Sequence, residues 1–321
     1  MWFNNLIIFS YQTPLAKDLD DVQGQLFEYR LKPCPPHAKE TIGFDSILPE
    51  NQEILLQSAN ACHLGSLTQR QRLLPASVLK AALEEKKLSF EAEFHKQMSR
   101  SDVLQTKETL EFDLLPKAFT VDKKRWFYID TKKQWIVINS AQANQASDII
   151  AYLIKSLGSL NFAPIQLEHA LPSLMQSWVK NPDSLAYGFK LGKQCQLVRS
   201  EDDKTTHNCK DIESHHEHLC DMFEQGFQIK SLDLIWEDKI SFSLMDTFVF
   251  KRLKCLDLIS EGLKENQNLE SKFAQIDADL ALLSGEVRLL MDDFLSLIDN
   301  QEDEEKESSS TNKLNVNTEL A

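Results

Sequence analysis

Between Pro75 and Pro116 the chain contains neither glycine nor proline, and the run from Ala76 to Leu114 has high helix propensity. Glycine and proline are the residues that most oppose helix, so their absence over such a stretch leaves helix as the local preference. Val78, Leu79, Ala82 and Leu83 recur at the spacing that lines one helix face. Around them Lys80, Lys86, Lys87, Lys96, Arg100 and Lys107 alternate with Glu84, Glu85, Glu91, Glu93 and Asp102, the pattern of a face turned to water. The segment 76–116 therefore reads as a helical arm, and the rest of the chain has to be arranged around it.

Both sides of the arm carry mixed texture. Before it, Trp2 to Tyr11 reads as a strand, Ala16 to Tyr29 as an amphipathic helix and Ile54 to Leu67 as strand-like runs, with breaks at Pro33, Pro35 and Pro36. After it, RWFYID and QWIVINS alternate as a β-hairpin, and a helix follows over Ala143 to Leu157. A helix near Leu171 to Val179 and strand-like segments from Gly188 to Arg199 lead into a polar stretch, Ser200 to His218. Strand signals then recur at Ile229 to Trp236, Lys239 to Met245 and Thr247 to Leu253. Between Phe273 and Ile298, apolar residues at Ile276, Leu280, Leu283, Val287, Leu290, Phe294 and Leu297 mark a core-facing helix.

The expected class is α+β, with mixed antiparallel sheets, packed helices, a protruding helical arm and a disordered acidic C-terminal tail. Its divisions are an N-terminal α+β region at 1–75, the arm at 76–116, a hairpin plus helix at 117–165, a C-terminal α+β region at 166–300 and the tail at 301–321. A strand, helix, hairpin, helix texture recurs in the two halves, but no residue-level repeat accompanies it.

Charge shapes the functional reading. The chain is 321 residues long with a net charge of -14, which on its own opposes binding to phosphate. Six acids against two lysines lie in the tail, so the folded body is less acidic than the total. The opening MWFNNLIIFSY has no basic leader or cleavage signature, and no window reaches the roughly 18 apolar residues of a spanning helix. A cytoplasmic protein without a membrane partner is expected. The six cysteines, Cys34, Cys62, Cys195, Cys209, Cys220 and Cys255, are scattered and read as reduced thiols.

Catalytic signatures are missing from the sequence. There is no GxxxxGK[ST], no GxGxxG and no GxSxG, so neither a phosphate cradle nor a nucleophile elbow is encoded. Cys195, His207, Cys209, His215, His216, His218 and Cys220 gather zinc-type ligands in one stretch, yet without the paired short spacings of a zinc site. A His-rich solvated loop is the default there, with a zinc protein as the lesser reading. No cofactor, metal or reaction is expected.

One band runs against the acidic background. Lys117, Lys123, Lys124, Arg125, Lys132 and Lys133 face only Asp122 and Asp130, a local excess of four positive charges beside Phe119, Trp126 and Phe127. Such a band can supply phosphate contacts, each cation releasing about one counterion from a duplex. A solvated hairpin tip is the bland alternative.

WFNNL at 2–6, LLPKAF at 114–119, KSLGSL at 155–160, FKRLK at 250–254 and FAQIDADLALLSGEV at 273–287 stand in the order and spacing that resemble the bacterial recombination-associated RdgC family. The resemblance spans about 290 residues. It implies a protein that binds double-stranded DNA with little sequence preference, sits on the nucleoid and restrains RecA-type recombinase activity. It also implies a homodimeric ring with basic groups lining the hole, which would place the acidic surface outside. By the same resemblance Phe119 is a ring-closing dimer contact, with an ordinary core residue as its alternative, and Lys117 is a basic position beside it. At the second ring contact the resemblance implies a basic residue and a glutamine after a Cys-Lys or similar pair, whereas here Cys209-Lys210 runs into Asp211-Ile212, which leaves that contact open and Lys210 as a candidate DNA-binding position. Lys80, Lys96, Arg100 and Lys107 are candidate pore-lining positions, whereas Lys123, Lys124 and Arg125 rest on local charge alone. The rival from another class is an interaction protein that touches the recombinase itself through its acidic surface.

Overall fold

The computed structural model describes residues 1–13, 15, 19–165, 167, 170–199 and 205–316, with side chains described as far as residue 299. In chain order the first half comprises β1 (Asn5–Ser10), α1 (Leu19–Glu28), β2 (Glu40–Asp45), β3 (Leu56–Ala59), β4 (Cys62–Leu73), α2 (Ala76–Phe94), α3 (Arg100–Leu114), β5 (Phe119–Asp130), β6 (Trp135–Ile138) and α4 (Ala143–Leu157). The second comprises β7 (Ala163–Pro164), α5 (Leu171–Lys180), β8 (Phe189–Arg199), β9 (Thr206–Cys209), α6 (His216–Glu224), β10 (Phe227–Trp236), β11 (Ile240–Met245), β12 (Phe250–Cys255), α7 (Asp257–Asn266) and α8 (Lys272–Val316).

Every strand pair is antiparallel, and the strands follow one path, β2-β4-β5-β6-β1-β12-β11-β10-β8-β9, with β3 added on β4 and β7 on β1. The join is narrow. Residues Ile7 to Ser10 of β1 pair with β6, while only Asn5 and Leu6 pair with β12, opposite Lys251 and Phe250. Two antiparallel half-sheets thus share the strand β1.

Period-two alternation sends successive residues to opposite faces. On one face of the first half-sheet, Ile7, Phe44, Leu67, Phe127, Ile129, Ile136 and Ile138 form a core with Val22 and Leu26 of α1 and Ala146, Ile149 and Leu153 of α4. The other face, with Leu64, Tyr128 and Val137, joins a larger core that includes the inner residues of the second half-sheet and helices α5, α6 and α8. Helix α8 bridges the halves. Its Leu280, Leu283, Val287, Leu290, Met291, Phe294 and Leu297 are all buried, and Phe294 stacks edge-on to Trp178 and Phe189.

A buried ion pair fixes that helix against the first half-sheet. Arg288 donates to both carboxylate oxygens of Asp130, at 2.6 and 3.0 Å, and to the Asn60 carbonyl at 2.8 Å. The expected helix over Phe273 to Ile298 is thus present and core-facing. The described backbone of α8 runs on to Val316, and residues 317–321 lie outside the described residues.

The arm is a helical hairpin. Helix α2 ends at His95, whose φ of 50° is left-handed, and α3 restarts at Ser99, where the Ser99 side chain and Asp102 form a reciprocal capping box. Leu83 is the only residue of α2 that is buried, and α3 has none. Strand β2 lies where no strand was expected, and the run at 54–67 divides into β3 and β4 across Asn60 and Ala61, both at positive φ. The polar stretch after residue 200 contributes β9 and the start of α6, and residues 200–204 lie outside the described set.

Candidate nucleic-acid interface

The arm holds its cations away from the body. At about 1.5 Å per residue α2 is roughly 28 Å long. Lys96 and Arg100 stand at its tip, with Lys80 and Lys107 on the two helices. All four are exposed, and none has an ion-pair partner among the described residues. At the base, Phe112 stacks on His37 with ring centres 3.8 Å apart and Glu111 pairs with Lys39 at 2.6 Å, which ties the hairpin to the loop before β2. Lys117 follows in a single 3-10 turn and is exposed.

Phe119 opens β5 opposite Leu73 of β4 and is 85% exposed. It is therefore no core residue, which removes that alternative. Leu73 and Val121, 49% and 40% exposed, adjoin it in the same pair of strands. The three form a contiguous exposed apolar patch at the base of the arm.

The basic band from Lys117 to Lys133 is contiguous in sequence but dispersed in space. Strand β5 carries its middle over a length of about 37 Å, so the two ends lie far apart. Alternation also divides it between faces. Arg125 pairs with Asp148 of α4 at 2.9 Å and bonds to Gln69 at 2.7 Å, with little side-chain exposure. Lys124, on the opposite face, bonds to the Ser46 carbonyl, lies 3.3 Å from Asp45 and sits 4.9 Å over the Trp126 ring. Lys133 pairs with Asp292 of α8. Lys123 is exposed, held only by a 3.3 Å bond to Gln71. Beside it Arg70 grips Asp122 through two bonds of 2.7 and 2.8 Å and holds that carboxyl below its ordinary range. Of the three hairpin positions, only Lys123 keeps its charge free for a ligand.

Lys210 is exposed just beyond β9, at the far end of the strand path from β4 and β5. Asp211 and Ile212, which interrupt the expected pattern there, form the turn into α6: Asp211 accepts from Ser214, and Ile212 is buried. The neighbouring histidines are structural bonds. His215 Nδ1 meets the Asp211 carbonyl at 2.8 Å, His216 Nε2 meets the Val179 carbonyl at 2.9 Å, and His207 packs edge-on to Phe227. Among the described residues no group of three or more His, Cys, Asp or Glu side chains could hold a metal ion. Burial raises the Cys62, Cys195 and Cys255 thiols to about 12, so they stay protonated and unreactive near neutrality. No described helix is long and apolar enough to cross a membrane.

The fold and this region define an acidic α+β protein with an exposed, cation-bearing helical hairpin and an apolar patch at its base. Comparison with known proteins makes the assignment specific: residues 1–301 match the family model described as "Putative exonuclease, RdgC". The chain belongs to the RdgC family. It is 28% identical over 300 residues to the recombination-associated protein RdgC of Proteus mirabilis (strain HI4320), covering 93% of this chain and 98% of that one. The corresponding protein of Edwardsiella ictaluri (strain 93-146) is 29% identical over 301 residues, with the same coverage. That of Shewanella sediminis (strain HAW-EB3) is 27% identical over 303 residues, covering 94% and 99%.

Proposed function

We propose that this chain binds double-stranded DNA without sequence preference, as a ring-shaped homodimer, and so modulates RecA-dependent recombination on the nucleoid. The observation that carries the reading is the arm and the turn that follows it: Lys80, Lys96, Arg100, Lys107 and Lys117 stand exposed, with no ion-pair partner among the described residues, in a protein of net charge -14. Cations that find no carboxylate in such an acidic chain are free to meet phosphate, and phosphate contact positions a protein on a duplex without reading its bases. Phe119 supplies the association patch through which two copies would close. Recombination-associated relatives that span the same length support the process assigned. The mechanism is occupancy, since DNA held within a closed ring is withheld from a recombinase filament. No chemical step is required of the protein.

Fluorescence anisotropy with duplexes of unrelated sequence tests this. Affinities should be alike and should fall with salt at a log-log slope of about -0.9 per phosphate neutralised. Absence of binding at low salt overturns the proposal, and capture of recombinase without DNA would favour the rival in which the acidic surface touches the recombinase. An end-labelled duplex incubated with Mg²⁺ should stay full length; progressive shortening would instead favour an exonuclease.

A further inference from the structure

The face of the first half-sheet covered by α1 and α4 continues onto the second half-sheet, where no helix covers it among the described residues. Directly opposed residues of an antiparallel pair share a face, so the register reads out what this open face carries. One row runs Lys251, Ser243, Asp233 and the next Lys254, Ser241, Ile235, Lys190. A third runs Met245, Ser231, Gln196, Asn208. The first and third of these rows, with Lys210 and Gln194, line a shallow open cavity of about 630 Å³, and the row of Lys254 lies beside it on the same face.

A bulge enriches this face in charge. Three residue steps of β12, from Lys251 to Lys254, oppose only two of β11, from Ser243 to Ser241, and Arg252 sits at the irregularity with φ 56°. A left-handed arginine inside a strand is strained, and bulges re-aim side chains. Here the distortion sets Lys251 and Arg252 side by side along the same cavity. Arg252 is anchored by Asp233 at 3.1 Å and Ser243 at 3.0 Å, which also neutralises the one carboxylate in the rows. Lys251, Lys254 and Lys210 have no ion-pair partner among the described residues.

We propose that this open face is a track for the sugar-phosphate backbone of duplex DNA, with Lys251, Lys254 and Lys210 meeting phosphates and Gln194, Gln196 and Asn208 donating hydrogen bonds. The proposal rests on the DNA-binding reading above and adds a site to it. Cations with interleaved amides and hydroxyls, and almost no exposed large apolar group, suit a polyanion rather than a protein surface. From β1 to β9 the face spans six strands, about 24 Å, which is twice the roughly 12 Å of a B-form major groove, so both phosphate ridges flanking a groove fall on it.

The test pairs a variant with a footprint. Lys251→Glu with Lys254→Glu should weaken binding alike for all duplex sequences and make the log-log salt slope shallower by about 2. Lys264→Glu, on exposed α7, should leave both unchanged. A folded double variant with wild-type affinity and slope overturns the track while leaving DNA binding itself intact; a wild type that never binds overturns both. Independently of any variant, acetylation of the wild-type protein should show Lys251 and Lys254 protected by duplex and Lys264 not. Equal reactivity with and without duplex also overturns the track.

Discussion

Glu286 lies on the buried side of α8, and its Oε2 is enclosed without a hydrogen-bond partner. Burial raises its pKa above the ordinary 4.5, with Lys239 opposing in part. A raised folded-state value means that the folded protein holds this proton more tightly than the unfolded chain, so the contribution to stability is present in acid and lost as pH rises through the carboxylate range. Glu286→Gln should therefore stabilise the protein at pH 7, by about 1 kcal/mol or less given its partial exposure. In thermal melts the advantage should shrink as pH falls below 4.5; an advantage independent of pH would contradict this account. No sequence pattern announces this residue, because the cost depends on which atoms close over it. Lys124 and Arg125 teach the same lesson. Their charge was plain in the sequence, but whether it was free depended on Asp45 and Asp148, distant in the chain.

The arm is the element whose local preference is strongest and whose packing is weakest. Its helices bury Leu83 alone, so cohesion comes from propensity, the Ser99-Asp102 capping box and base contacts at His37 and Lys39. Amides of α2 and α3 should exchange with deuterium sooner than those of β4 and β5. Ser99→Ala should speed exchange in α3 further, by the equivalent of about 1 kcal/mol of local stability, without moving the main thermal transition. Protection of the arm equal to that of the central strands would refute this. The helical run was legible because helix signals are local. The reversal at His95 was less so, since a non-glycine residue in left-handed conformation leaves little trace in composition. Strands β2 and β9 escaped for a related reason: each is short, partly polar and defined by the neighbour it pairs with.

For the whole molecule, exposure of Phe119 bears on assembly. An aromatic ring that is 85% exposed contributes little to the fold of one subunit, whereas burial between two copies would remove that ring from water. Phe119→Ser should leave the melting temperature of the subunit unchanged and weaken the dimer, so that sedimentation sees it dissociate at higher protein concentration than the wild type. A dimer of unchanged stability, or a variant that unfolds, would assign the residue another role. The sequence by itself determined the α+β class, the helical arm, the core stripe of α8 and the family, because propensity, periodicity and segment order are properties of the chain read along its length. Only the tertiary structure decided that the basic band of β5 is divided between faces, that Phe119 stands in water and that Lys251 and Lys254 share an open face. Register, burial and the partner of each charge arise from contacts between residues far apart in sequence, and a linear pattern carries no record of them.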